Sequence, residues 1–152
     1  LNIAPETFKK LAEHKNIVAV KEASGNISQV AKIAALCGDD LQIYSGNDDQ
    51  IVPIMSLGGK GVISVLSNVC PDIAHKICDE YLKGNVEESR KLQLEYLELI
   101  NDLFIEVNPT PVKEAMNMMG MNVGECRLPL VKPTDAHCEK LLSSLKKHNL
   151  VK

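Results

Sequence analysis

Lys21 is the residue whose type and position carry the most chemistry. It stands directly after the apolar, β-branched run Ile17-Val18-Ala19-Val20 and before Glu22-Ala23-Ser24-Gly25-Asn26. If that run is a strand of a parallel sheet, the amine lies at the strand's C-terminal end, where α/β folds gather their ligands. Apolar walls there would strip a lysine ammonium of water and favour the neutral amine, the form that attacks carbonyl carbon. Position alone leaves a second reading open, a strand-end lysine that simply reaches water. Two more segments occupy equivalent places, Ser45-Gly46-Asn47-Asp48-Asp49 after Leu41-Gln42-Ile43-Tyr44, and Ser64-Val65-Leu66-Ser67-Asn68 at the end of the run that starts at Val62-Ile63. Gly46 and Gly25 each follow a strand. A missing side chain there lets backbone approach a ligand closely, and a plain turn accounts for either glycine equally well.

Other groups point to chemistry less directly. Gly58-Gly59-Lys60-Gly61 has the composition of a phosphate-cradling loop, but it precedes a strand where such loops precede a helix, so it reads as a turn. His14, His75, His137 and His148 fall in polar helical contexts and are expected to be solvated. Cys37, Cys70, Cys78, Cys126 and Cys138 are an odd number at irregular spacing, which suits reduced thiols rather than a disulfide framework or a paired zinc site. Cys126 with His137 and Cys138 is the one grouping that suggests metal, and inert burial accounts for it better, so no metal is expected. Met116, Met118, Met119 and Met121 read as flexible packing at a helix end.

The elements that must position these residues follow from pattern. None of the three strand-like runs alternates cleanly, which suits strands buried on both faces of a parallel sheet. Helical stretches separate them, with Pro5 and Pro71 as first-turn residues, Asn26 or Ser28 and Asp48 or Asp49 as caps, and Gly84 as a stop. This is the rhythm of βαβ units. Beyond Gly84 only helices are expected. Leu92, Tyr96, Leu99, Leu103 and Val107 form one stripe of a long amphipathic helix ended by Asn108-Pro109; Thr110-Pro111 starts another that Gly120 stops, and Thr134-Asp135 opens the last. Residues 1–84 thus read as α/β and residues 85–152 as a helical domain. Three parallel strands are too few to complete a common α/β domain. With a first residue that is Leu1 and not Met, the expectation is a part of a larger fold.

Charge and hydropathy narrow the function classes. Seventeen Lys and Arg against twenty Asp and Glu give a formal charge of −3, with no basic stripe, which argues against nucleic acid. No stretch has the run of apolar residues a membrane helix needs, and no charged-then-apolar leader opens the chain, so a cytoplasmic location without membrane contact is expected.

Five segments in order carry a family resemblance. Ile17-Val18-Ala19-Val20-Lys21-Glu22-Ala23-Ser24-Gly25-Asn26 closely resembles the Schiff-base lysine segment of the dihydrodipicolinate synthase and N-acetylneuraminate lyase superfamily. Ser45-Gly46-Asn47-Asp48 is similar to that superfamily's segment after strand seven, and Leu57-Gly58-Gly59-Lys60-Gly61-Val62-Ile63-Ser64-Val65 to strand eight of its synthase branch. Asn108-Pro109-Thr110-Pro111-Val112-Lys113 and Cys126-Arg127-Leu128-Pro129-Leu130 are similar to that branch's helical C-terminal region. The resemblance implies the C-terminal part of a (β/α)8 barrel, strands six to eight, followed by helices. It implies condensation of pyruvate with aspartate semialdehyde, without a cofactor, in lysine biosynthesis. Lys21 would form the imine, with backbone at Gly46 and Ile63 around the pyruvate carboxylate and the imine.

The Gly-Thr-Thr-Gly-Glu and Tyr-Asn-x-Pro-x-Arg motifs of the superfamily are absent, and Tyr44, a core position of strand seven, does not stand in for the relay tyrosine. A complementary N-terminal half and a homo-oligomer, tetramer or dimer, are therefore the expected partners. Two alternatives stay open, a lyase acting on N-acetylneuraminate or another keto-sugar acid, and a half barrel with no activity of its own.

Overall fold

A computed structural model describes residues 2–152. The α/β region begins with helix α1 (Pro5–Ala12), followed by strand β1 (Ala19–Glu22), helix α2 (Ile27–Cys37), strand β2 (Gln42–Ser45), helix α3 (Ile51–Ser56), strand β3 (Gly61–Val62) and helix α4 (Pro71–Leu82). The helical region holds α5 (Val86–Glu95), α6 (Leu97–Asp102), α7 (Thr110–Met118) and α8 (Asp135–Lys147).

The sheet has three parallel strands in the order β1-β2-β3. Its register pairs Lys21 with Tyr44 and Tyr44 with Gly61. Side chains alternate across a strand, and Val20 and Ile43 point to the covered face. There they pack with Phe8 of α1, Val30 and Ile33 of α2 and Ile54 of α3. The other face is bare: Ala19 and Lys21 are exposed and Ile63 is 50% exposed. Burial on both faces, expected from the unbroken apolar runs, therefore does not hold, because none of the described helices packs on this second side.

The strand bounds also differ from those expected, later for β1 and β2 and earlier for β3. Lys21 lies within β1 rather than after it, because Ile17 and Val18 precede the pairing with β2. β3 stops at Val62, so Ile63 lies just past the assigned strand, although its N–H still donates to the Ser45 carbonyl at 2.8 Å.

Local signals placed most helix ends correctly. Asn26 accepts from the Gln29 N–H at the start of α2, and Thr134 accepts from the His137 N–H at the start of α8. Pro5 and Pro71 occupy the first turns of α1 and α4, and Gly84, with φ +88°, follows α4. Asp48 is a correction: it opens a single 3-10 turn, Asp48–Gln50, and caps no helix, because its carboxylate is engaged elsewhere.

The single long helix expected over 92–107 is two, α5 and α6, meeting at Tyr96. Leu92, Leu99 and Leu103 are buried as the stripe requires, but Val107 is 60% exposed, since the chain leaves helical geometry after Asp102. The core around Leu99, Ile100, Leu103, Val112, Ala115, Leu141 and Leu145 also takes in Leu66, Val69, Cys70 and Ala74 from the end of the α/β region. Met116, Met118 and Met119 pack against it.

The expectation of four solvated histidines also needs correction. His148 is half-buried and stacks on Tyr96 with ring centroids 4.1 Å apart, and burial lowers its pKa. His137 Nδ1 lies 2.6 Å from Glu106 Oε1. Among the described residues no helix is long and apolar enough to cross a membrane.

Candidate functional site

The C-terminal edge of the sheet brings Lys21, Gly46 and Ile63 onto adjacent strands. Two hydrogen bonds continue the ladder past the assigned strands, from the Gly46 N–H to the Glu22 carbonyl at 2.7 Å and from the Ile63 N–H to the Ser45 carbonyl at 2.8 Å. Neighbouring strands lie about 4.8 Å apart, so the three residues span a patch the size of a small molecule.

Gly46 has a specific steric reason to be glycine. A Cβ there would lie 2.5 Å from Ala23 Cβ, 2.9 Å from Lys21 Cε and 3.2 Å from Lys21 Cγ. The approach that needs a bare backbone is thus, in the first place, that of the Lys21 side chain itself. Gly25, with φ +73° and nothing near its would-be Cβ, is a turn residue.

Lys21 has no ion-pair partner among the described residues, and its amine is available to a ligand. The apolar enclosure anticipated for it is absent on this chain, because the face it projects from is uncovered. A cleft of ≈ 560 Å³ opens beside it, walled by Ile3, Phe8, Ala23 and Ser24.

The turn that follows Lys21 is held from beneath by Glu22. This buried carboxylate accepts from the Ser24 N–H at 3.1 Å, the Ser24 hydroxyl at 3.0 Å and Gln29 Nε2 at 3.1 Å. Alternation places Glu22 on the opposite face from Lys21, so it shapes the turn without neutralising the amine. Sequence reading passed over this role, although the strict alternation of a strand would have pointed to it. Tyr44, taken as a core position, is only partly buried. It lies on the Lys21 row, and its hydroxyl donates to Gln42 Oε1 at 3.4 Å rather than reaching the lysine.

A second cleft, ≈ 210 Å³, lies between α7 and residues 124–133. Its lysines are already engaged: Lys113 donates to the Glu125 carbonyl at 2.7 Å, and Lys132 pairs with Glu114 at 3.4 Å. Among the described residues no three His, Cys, Asp or Glu side chains gather as a metal-holding group, and Cys126, His137 and Cys138 form none. All five cysteines are free.

Comparison with known proteins agrees with this fold. The chain matches the dihydrodipicolinate synthetase family over residues 1–148. It is 58% identical over 152 residues to the 4-hydroxy-tetrahydrodipicolinate synthase of Clostridium perfringens, covering 100% of this chain and 52% of that protein. A solved dihydrodipicolinate synthase from Thermotoga maritima aligns with a TM-score of 0.95 at 41% identity, over 99% of this chain and 52% of the other. The chloride-inhibited dihydrodipicolinate synthase of Acinetobacter baumannii, complexed with pyruvate, aligns at 0.94 and 31% identity with the same coverage. The chain spans about half the length of the curated relatives it matches. Its open parallel sheet and following helices are the arrangement of the C-terminal part of a (β/α)8 barrel. On sequence and fold together, the chain belongs to the dihydrodipicolinate synthetase family.

Proposed function

We propose that this chain carries the imine-forming lysine, Lys21, of an enzyme that condenses pyruvate with aspartate semialdehyde to 4-hydroxy-tetrahydrodipicolinate. The observation that carries the reading is an unpaired lysine at the C-terminal edge of a parallel sheet, fitted against a glycine that leaves room for no side chain. The amine of Lys21 attacks the ketone of pyruvate and water leaves. The resulting iminium is an electron sink, so the methyl group loses a proton and its carbon attacks the aldehyde. Backbone at Gly46 and Ile63 faces the pyruvate carboxylate and the imine. The synthase names of the relatives favour this over the keto-sugar-acid lyase reading.

The remaining substrate contacts are proposed to come from a complementary N-terminal half of the barrel. Its support is the bare sheet face with exposed Ile63, the exposed Val18 just before β1, and the two unpaired sheet edges. Assembly as a homo-oligomer and a division of the chain at Gly84 belong to the same proposal. So does a cytoplasmic location, for which five free thiols are the support.

Pyruvate with borohydride should label Lys21 irreversibly in the assembled protein. Lys21→Ala should abolish label and turnover, and Lys21→Arg should do the same, because a guanidinium stays protonated and forms no imine. An adduct mapped to Lys60 or Lys113 would sink the assignment.

A further inference from the structure

Asp48 is 1% exposed and is the deepest acid of the α/β region. Its Oδ2 accepts from two consecutive backbone N–H groups, Val65 at 2.8 Å and Leu66 at 3.1 Å. Val65 and Leu66 lie just beyond β3, two and three residues after Ile63, while Asp48 itself lies two residues beyond Gly46. The carboxylate therefore joins the loop that carries Gly46 to the loop that carries Ile63.

Both loops are fixed at this point by further contacts. The Ser45 hydroxyl donates to the Asn47 carbonyl at 2.7 Å, and the Asn47 N–H donates back to Ser45 Oγ at 3.1 Å. Gln93 of α5 donates from Nε2 to the Asp48 carbonyl at 2.8 Å and accepts from the Val52 N–H through Oε1 at 3.3 Å. On the other side, the Ser67 N–H donates to Ser64 Oγ at 2.8 Å, closing the turn that presents Val65 and Leu66. No side-chain cation pairs with Asp48 among the described residues, and its Oδ1 has no partner. A buried carboxylate held only by backbone donors contributes geometry to those donors, and two N–H groups on one oxygen tolerate little displacement.

We propose that Asp48 is a positioning residue for pyruvate: by tying the loop after β2 to the loop after β3, it sets the distance between the backbone at Gly46 and at Ile63. This rests on the reading of Lys21, Gly46 and Ile63 as the pyruvate site. The residue touches no substrate, so its loss should spare imine chemistry and weaken the grip on pyruvate.

Asp48→Ala leaves the buried Leu66 N–H and the partly buried Val65 N–H without this acceptor, whereas Asp48→Asn keeps an amide oxygen for them. In the assembled enzyme Asp48→Ala should raise the pyruvate KM by about tenfold or more, the scale of losing hydrogen bonds to a charged acceptor, with kcat changed far less. Borohydride labelling of Lys21 should still go to completion at saturating pyruvate. Asp48→Asn should recover most of the KM.

Asp102→Asn is the comparison for a merely structural effect, since Asp102 is equally buried and lies in the helical region. It should lower thermal stability and leave the pyruvate KM unchanged. If Asp48→Ala is too unstable to assay, Asp48→Asn and Asp48→Glu are read instead; the longer Glu side chain displaces the two loops and should raise KM where Asn does not. A pyruvate KM that stays at the wild-type value in every folded Asp48 variant overturns the proposal, as does a rise matched by Asp102→Asn. If the wild-type protein takes no label on Lys21, it is the reading of the site that fails and not the tie between the loops.

Discussion

In the α/β region the buried carboxylate of Asp48 is held by the backbone N–H groups of Val65 and Leu66, whereas in the helical region that of Asp102 is held by side chains. Asp102 accepts from the Ser144 hydroxyl and pairs with Lys140 at 3.0 Å, which fastens α6 to α8. The same chemical group is thus used in two ways. At the strand ends it sets the spacing of loops, and among the helices it holds two rods together. Glu22 combines the two, with the Ser24 N–H as its backbone donor and the Ser24 hydroxyl and Gln29 Nε2 as side-chain donors.

Charges in the helical region are compensated by one another, as in Lys132 with Glu114 and Lys147 with Glu98. At the sheet edge Lys21 has no such partner, and compensated charge is what a reactive amine has to avoid. The difference suggests that damage to the helices is read mainly as stability, and damage at the strand ends mainly as function.

The sharpest way to break the comparison is to empty the helical core. Leu99 is fully buried among Leu103, Leu141 and Leu145. Leu99→Ala should cost about 3 kcal/mol in denaturant unfolding through lost burial and the cavity left behind. Borohydride labelling of Lys21 should persist below the new unfolding midpoint. Loss of labelling in fully folded variant would show that the helical region acts on the site directly.

Gly46→Ala tests the opposite end. Its Cβ would meet Ala23 Cβ and Lys21 Cε, so the lysine must move. Displacing a reacting group by about 1 Å can cost on the order of a hundredfold in rate, and kcat/KM for pyruvate is the quantity to follow, with Gly46→Val worse than Gly46→Ala. Normal kinetics in both would reduce Gly46 to a turn residue.

Helix caps sharpen the comparison at smaller scale. Asn26→Ala and Thr134→Ala should each lose about 1 kcal/mol of stability, but Asn26 follows the Lys21 turn and Thr134 lies in the helical region. Only Asn26→Ala should also shift the pyruvate KM. Equal kinetics for the two would place the start of α2 outside the site.

The smallest effect concerns pH. Burial, with Lys147 nearby as a lesser cause, lowers the pKa of His148 below its ordinary value of 6.5. The unfolded chain therefore binds this proton at higher pH than the folded one does. Stability from the neutral imidazole is fully present above pH 6.5 and is lost as pH falls from there through the lower folded value. His148→Phe, which keeps a ring against Tyr96, should flatten that part of the stability profile. A profile unchanged by the substitution would show that His148 does not titrate differently on folding.

Legibility in the sequence followed the range of each interaction. Asn26, Thr134, Pro5, Pro71 and Gly84 act within one helical turn of themselves, and their roles were readable from neighbours alone. The place of Lys21 at the C-terminal end of a strand was readable as well, because an apolar β-branched run ending in lysine is a local pattern. Asp48 looked like a cap for the same reason, yet its partners lie 17 and 18 residues away. The break at Tyr96 was equally hidden, since the leucine stripe continues across it and only the described packing shows Val107 turned outward.

The amino-acid sequence by itself therefore determined the order of strands and helices in the α/β region, the starts of α1, α2, α4 and α8, and the family to which the chain belongs. These depend on short-range backbone preferences and on segments that keep their residues in a fixed order. Tertiary structure decided which face of the sheet is covered, that Gly46 makes room for Lys21, and that Asp48 spans two loops. Those outcomes depend on where strands lie beside one another, and hydrogen bonds and steric contacts between neighbouring strands leave no periodicity along a single one.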